Sequence, residues 1–331
     1  RAGWLPEAIK AGMSARHYLV NGVKFYFVKS PDVARLSHLF SKMYRENVFL
    51  YHSDDSAIAL TCTDGMFWAN LDISSCDTSQ GPSVFQFLYL FCPDEFLPVM
   101  SLLVEQCAQT CKVGHGRSRL LFKPRRYFEY SGSLLTTLLN CVASFTIGRA
   151  IVGGWKGGSR ADALAHVNGA LSTCGWNVTC EVEERFSGIQ FLKHSPAFTT
   201  DGDVCAVTNL GVILRALGQK TGNLPKGDLY EQARLFNSGL VAGFVHCGNT
   251  RLLRVLQEKF SLSAVVRHGS NITKFHTGGS LSLVNDDTVI ERYGMTPGAY
   301  QELLDLLCVS EIGDLIDCQA SRSILLRDYG L

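Results

Sequence analysis

The chain has 331 residues, of which 46% are hydrophobic and 18% charged, and it carries a net charge of +1. This composition excludes a disordered tail and a globally basic nucleic-acid binder, although a local basic channel would not show in the summed charge. Twelve cysteines without dense regular spacing read as thiols of a reducing compartment, which leaves the sequons at Asn177 and Asn271 silent. No signal peptide is visible, and the longest apolar stretch, LLTTLLNCVASFTIG, is interrupted by Thr, Asn and Ser, so no membrane span is expected. The first residue is Arg1 rather than Met, and the chain is expected to be a piece of a longer protein.

Ser30-Pro31-Asp32 predicts a helix start, with Ser as N-cap, continuing through ARLSHLFSKMY. Two apolar, β-prone runs then flank Ser53-Asp54-Asp55, which places the two aspartates at the tip of a tight hairpin. Adjacent carboxylates repel, and water or a cation relieves the repulsion, so the tip is either a solvated turn or half of a metal site. His52 beside them reads as a turn residue that tunes local charge. FWANLDISSCDTSQG predicts a short strand ending in a polar turn, and residues 82–112 a long apolar helical region. Gly114-His115-Gly116 breaks the chain, and RLLFKPRRYFEY reads as a β segment. SGSLLTTLLNCVAS is a loop opening a helix, and Gly153, Gly154, Gly157 and Gly158 mark a flexible loop. A helix over 160–174 and an alternating strand NVTCEVE follow, then IQFLKHSP as one hairpin arm closed at a proline. From about residue 225 the pattern is mostly helical, with Thr296-Pro297 as a helix start. A strand-rich centre and a helical tail predict an α+β fold.

Three polar constellations stand out. Asp54 and Asp55 are the first. Asp72 and Asp77, five residues apart, cannot share a ligand through regular structure, so they hold separate positions: two functional roles, or a strand end and a turn. Thr136 and Asn140 lie on one helical face, with Leu134, Leu135, Leu138 and Leu139 supplying the apolar side. Gly132 permits a sharp loop before them, and Ser131 or Ser133 can cap the helix. An Asn on such a helix must find partners, either a neighbouring backbone or a ligand-facing network. Cys107 with Cys111, and His166 with Cys174 and Cys180, lack the paired spacing of zinc ligands.

These constellations resemble motifs of viral RNA-dependent RNA polymerases. LDISSCD is similar to motif A, SGSLLTTLLN fits motif B, written SG-x3-T-x3-N, at every fixed position, and SDD in a hairpin resembles motif C. IQFLKHSP resembles the primer-gripping motif E, the helix–Gly–strand before it motif D, and the tail, including ERYG and TPGAYQELLDLL, a helical thumb. The order C, A, B departs from the usual A, B, C and resembles the permuted polymerases of birnaviruses and permutotetraviruses. Those carry Asp-Asn at the hairpin where this chain has Asp-Asp. Asp201-Gly202-Asp203 lacks a preceding strand, and Asn285-Asp286-Asp287 is expected to cap a helix, so neither rivals the hairpin as motif C.

The resemblance implies a palm of antiparallel sheet and packed helices with permuted connectivity. The expected domains are a fingers-proximal segment over 1–47, a palm over 48–200 and a helical thumb over 201–331. Within the palm, motif C is expected at 48–60, motif A at 68–81, a fingers-type insertion at about 82–122, motif B at 131–149 and motifs D and E at 160–200. It implies template-directed nucleotidyl transfer to an RNA 3′-hydroxyl, with two Mg²⁺ or Mn²⁺ ions held by Asp72, Asp54 and Asp55. Among the residues implied to bind the ribonucleoside triphosphate, Asp77 and Asn140 would read the sugar, Ser131 and Gly132 would form the flexible loop beside the nascent base pair, and Thr136 would orient the network. Lys123, Arg125 and Arg126 would approach template or triphosphate, unless they are the solvated edge of a strand. Phe191, Leu192 and Lys193 would form the primer grip. No motif F is matched, Lys24 and Lys29 being its only candidates, and the fingers are expected upstream of Arg1. Thr179 and Cys180 stand where motif D usually offers a lysine, so no general acid is assigned. RNA template, nascent RNA and nucleotides are the implied partners, and the host cytoplasm the implied location. A reverse transcriptase-like enzyme and a catalytically inactive, polymerase-like RNA-binding protein are the alternatives.

Overall fold

The computed structural model describes residues 2–29, 32–115, 118–124, 127–130, 132–218, 228–244, 247–260 and 282–330. Ser30, Pro31, Gly116, Arg125, Arg126, Ser131 and the sequon at Asn271 lie outside them. The chain divides into two compact units, residues 1–29 with 45–183 and residues 30–44 with 184–331. The expected boundaries after residues 47 and 200 do not follow this division. The first strands share a sheet with the aspartate hairpin, and the helix before that hairpin belongs to the second unit.

The first unit opens with α1 (Trp4–Ser14), which buries Leu5, Ile9 and Met13 at helical spacing. β1 (His17–Val20) and β2 (Val23–Phe27) form a hairpin turning at Asn21-Gly22, both with positive φ, as a two-residue hairpin loop demands. α2 (Val33–Met43) then carries the chain through the second unit. Its N-cap is Asp32, whose carboxylate accepts from the Arg35 amide at 2.6 Å, rather than the expected Ser30. β3 (Val48–His52), β4 (Asp55–Cys62) and β5 (Gly65–Ile73) form a meander. Next come a single turn of helix, α3 (Cys76–Ser79), then α4 (Pro82–Leu90), α5 (Leu97–Gln106), the hairpin β6 (Cys111–His115) and β7 (Ser118–Phe122), α6 (Thr136–Gly153), α7 (Arg160–Thr173) and β8 (Val178–Glu183).

Six strands make one sheet in the order β1-β2-β3-β4-β5-β8. It is mixed rather than antiparallel as expected, because β2 pairs parallel with β3. A parallel pair needs a crossover instead of a tight turn, and the segment carrying α2 supplies it. The expected long helical region over 82–112 is two helices, divided at Cys92-Pro93, with Pro82 and Pro98 each at a helix start and Cys111 already in a strand. Among the described residues of the predicted β segment RLLFKPRRYFEY, those up to Phe122 are strand and the rest are not.

Strand alternation gives the sheet one strongly apolar face. Phe67, Ala69, Leu71 and Ile73 of β5 join Ile58 and Leu60 of β4, Phe49 and Tyr51 of β3, and Phe25 and Phe27 of β2. α6 and α7 pack there, with Leu138, Leu139, Val142, Ile147 and Ile151 from the first and Ala163, Val167 and Leu171 from the second. α6 approaches the sheet closely. A Cβ on Gly148 would fall 2.6 Å from the Phe49 ring and 2.8 Å from that of Phe25. Among the described residues α6 is the one helix long and apolar enough to cross a membrane, and it is largely buried in this core. All twelve cysteines are unpaired.

Among the described residues, the second unit contains α2, a hairpin of β9 (His194–Phe198) and β10 (Val204–Thr208), and six further helices: α8 (Leu210–Gly218), α9 (Leu229–Gly243), α10 (Arg251–Lys259), α11 (Asp286–Glu291), α12 (Pro297–Val309) and α13 (Gln319–Tyr329). α2 packs on β10, and the Ala206 amide donates to Ser37 Oγ at 2.9 Å. The expected hairpin closure at Pro196 is displaced. The tight turn is Leu192-Lys193, both at positive φ with Phe191 bridged to His194, and Pro196 sits inside β9 opposite Ala206. β9 also supplies the strand that Asp203 was expected to lack. Asn285 caps α11 and Thr296 caps α12, as their sequences predict. A buried ion pair ties the helices together: Arg292 meets Asp328 at 3.2 Å, and the Asp328 carboxylate also accepts from Tyr293 Oη and the Gly211 amide.

Candidate functional site

The site is built on the β3–β4 turn. Ser53 there adopts a φ of 54°, a left-handed conformation that a side chain takes at a cost of about 1–3 kcal/mol. Three residues of α6 hold it. The Ser53 amide donates to Cys141 Sγ at 3.1 Å, its carbonyl accepts from Ser144 Oγ at 2.6 Å, and its hydroxyl accepts from Asn140 Nδ2 at 3.3 Å. Asn140 and Ser144 are one helical turn apart, continuing the face that Thr136 begins. A strained turn gripped by a buried helix presents the neighbouring Asp54 in a fixed place.

Asp55 opens β4 and lies directly opposite Asp72 in the antiparallel ladder, so their side chains emerge on the same face of the sheet. Asp54 and Asp55 are half-buried, whereas Asp72 is exposed. Although Asp72 keeps much of its surface exposed, desolvation by the surrounding residues, then the charges of Asp54 and Glu181, hold its carboxyl above the usual carboxylate range. Carboxylates gathered with their repulsion unrelieved are hard oxygen donors suited to a divalent cation. Among the described residues, however, no three His, Cys, Asp or Glu side chains converge as a metal-ligand group. The expected trio of Asp54, Asp55 and Asp72 is thus not gathered as a metal-ligand group: Asp72 stands opposite Asp55 and feels the charge of Asp54. His52 is tied by Nδ1 to the Val28 carbonyl at 2.7 Å and stacks on Phe27, and burial lowers its pKa, in keeping with a structural turn residue.

Behind β5, Ser75 turns the chain at a φ of 52° into α3, which carries Asp77. Asn140 Nδ2 donates to Asp77 Oδ1 at 2.8 Å, and Asn140 Oδ1 accepts from Gln80 Nε2 at 2.9 Å. One amide thus joins the turn of the hairpin, the helix after β5 and α6. At the start of α6, the Thr136 hydroxyl donates to the Tyr130 carbonyl at 3.1 Å and stands 3.1 Å from Ser133 Oγ. These bonds close the loop through Gly132, whose φ of +81° explains the glycine. Thr136 and Gly132 therefore shape the loop, while Asn140 and Asp77 form the polar pair.

Lys123 is exposed past the end of β7 and, among the described residues, makes no hydrogen bond or ion pair to the aspartates. Arg125, Arg126 and Ser131 lie outside the described residues. Phe191, Leu192 and Lys193 belong to the second unit, where Phe191 is buried and Lys193 is exposed over the Tyr329 ring. Cys107 ends α5 while Cys111 is in β6, and His166 is bound to the Ile151 carbonyl, so neither zinc grouping forms. Asp286 accepts from the Arg251 amide and from Tyr300 Oη, which is a structural role.

Four residues of the cluster escape a sequence reading: Ser53, Gln80, Glu129 and Ser144. Ser144 alone left a signal, as the next member of the Thr136–Asn140 face. Glu129 is 1% exposed with both carboxyl oxygens shut off from water, and burial, then Asp77, raise its pKa to about 9. No protein-family model matches the chain, and no curated protein is similar to it.

Proposed function

We propose that the first unit is the palm of an RNA-dependent RNA polymerase with its motifs in the order C, A, B, and that the helical part of the second unit is its thumb. The observation that carries the reading is the Asn140–Asp77 hydrogen bond of 2.8 Å, with Ser53 of the hairpin on the same amide. It joins the three segments that resemble motifs B, A and C, which the chain supplies from positions 63 and 87 residues apart. Also in support, Asp72 stands opposite Asp55 in the ladder and feels the charge of Asp54.

In this reading Asp54 and Asp72, supported by Asp55, would hold Mg²⁺ or Mn²⁺, which supplies charge neutralisation at the attacking 3′-oxygen and the leaving pyrophosphate. The chain's own residues position. α6 fixes the Ser53 turn and thereby Asp54, and β5 fixes Asp72. A carboxylate and an amide together satisfy a 2′-hydroxyl, which is both donor and acceptor, so Asp77 and Asn140 would select ribose over deoxyribose. A deoxynucleotide would leave that pair without its partner. Lys123, Arg125 and Arg126 are assigned to template or triphosphate, and Phe191, Leu192 and Lys193 to the primer.

The test is incorporation of labelled ribonucleotide on a primed RNA template with Mg²⁺ or Mn²⁺, comparing the full chain with Asp72→Ala. Metal-dependent extension that the substitution abolishes supports the reading. Template binding with no turnover by the unsubstituted chain overturns it in favour of a non-catalytic RNA-binding protein. Preference for deoxynucleotides would instead make it a reverse transcriptase.

A further inference from the structure

Glu129 lies just before the Tyr130–Thr136 loop, and it is among the most deeply buried ionisable residues of the first unit. Both its carboxyl oxygens are shut off from water, and the Thr136 hydroxyl beside them already donates to the Tyr130 carbonyl. The side-chain oxygen of Gln80 is buried without a hydrogen-bond partner, while its nitrogen serves Asn140 and Cys76. Buried polar atoms without partners are rare and call for a specific explanation. Gln80 borders the Asp77–Asn140 pair through its bond to Asn140, and Asp77 bears electrostatically on Glu129.

The groups that face Glu129 define what it can do. Asp77 on α3 bears on it most among the charges, then Asp54 in the hairpin turn. Its other titratable neighbours are the thiols of Cys76, Cys107 and Cys141, and the Thr136 hydroxyl lies beside it. Among the described residues the charges that bear on it are negative, so the carboxyl is neutral at physiological pH. A neutral carboxylic acid is a donor as well as an acceptor, and the oxygens of a neighbouring carboxyl group such as that of Asp77 are its natural acceptors.

We propose that Glu129 is a positioning residue of the sugar-reading group: acting through Asp77, it holds that carboxylate in place when a ribonucleotide engages Asn140, and so strengthens the choice of ribose over deoxyribose. The inference rests on the polymerase reading above. Asn140 donates to both Asp77 and Ser53. A 2′-hydroxyl that takes part of the Asn140 amide weakens its hold on Asp77, and a protonated Glu129 would supply the replacement donor. An alanine leaves Asp77 without that donor, whereas a glutamine keeps a neutral donor of the same shape.

The experiment compares kcat/KM for UTP and dUTP in the unsubstituted full chain, Glu129→Ala and Glu129→Gln, on one RNA template. The expected result is a ribose preference that falls about tenfold or more in Glu129→Ala, as for one unpaired buried group, and is retained in Glu129→Gln. A second expected result is an alkaline fall in the unsubstituted chain's preference that Glu129→Gln lacks, which a merely structural carboxyl would not produce. Unchanged preference in a folded Glu129→Ala overturns the proposal, and so does an equal loss in Glu129→Gln. If Glu129→Ala does not fold, the pH dependence of Glu129→Gln decides alone, and a profile identical to that of the unsubstituted chain overturns it. Absence of incorporation by the unsubstituted chain is a distinct result, since it removes the polymerase reading itself.

Discussion

Replacing Glu129 by Gln should stabilise the first unit at neutral and alkaline pH, and the size of the effect follows from the site. The carboxyl has an ordinary pKa of 4.5 in the unfolded chain and is pushed up to about 9 by burial, then by Asp77. Between these values the folded state binds a proton that the unfolded state has released, so stability falls as pH rises through the window. The slope is about 1.4 kcal/mol per pH unit, which gives roughly 3 kcal/mol by pH 7 and roughly twice that by pH 9 as an upper limit. Glutamine carries no proton to release, and its amide keeps the shape. Urea denaturation of both proteins at intervals from pH 4.5 to 9 measures the difference directly. Asp72, whose pKa is also raised, contributes equally to both and cancels. The expected result is a gap that widens in favour of the variant as pH rises. Parallel curves across the whole window would refute the argument, because they would mean that Glu129 is ionised in the folded protein.

Four further outcomes are expected. Asn140→Ala removes the donor to Asp77 and Ser53 and the acceptor for Gln80, and should cost about 1–3 kcal/mol in denaturant unfolding while abolishing discrimination between ribo- and deoxyribonucleotides. Gly148→Ala forces a methyl against the Phe49 and Phe25 rings, and should lower stability by about 1–3 kcal/mol, measured as a fall in thermal midpoint. In the second unit, burial holds His194 at about 4, below its ordinary 6.5, so the unfolded chain binds the proton first and stability is lost as pH falls from 6.5 towards 4. Circular-dichroism melts should show that acid loss in the unsubstituted chain and its absence in His194→Gln. Asp328→Ala strands the Arg292 guanidinium, and should destabilise the helical unit by about 3–5 kcal/mol, read by hydrogen exchange in α8, α11 and α13.

What the sequence alone determined is local. The SDD turn between apolar runs, the capping residues Asn285 and Thr296, the polar face of Thr136 and Asn140 on an apolar helix, and the α+β layout all follow from short-range turn chemistry, capping and periodicity. Those signals act over one turn of helix or one hairpin, so they survive without knowledge of the fold. Mistakes at this level also had local causes: Cys92-Pro93 breaks what composition alone makes one long helix, and Asp32 outcompetes Ser30 as a cap. The tertiary structure decided everything that depends on partners distant in the chain. It paired β2 parallel with β3, moved the turn of the IQFLKHSP hairpin to Leu192-Lys193, and brought Ser53, Asp77, Gln80 and Asn140 onto one network. It also buried Glu129, whose surroundings in the sequence, YFEYSG, give no hint of burial. Whether a carboxyl is a solvated charge or a neutral donor depends on which groups desolvate it, and those groups come from α3, α6 and the hairpin turn, segments that meet only once the sheet has formed.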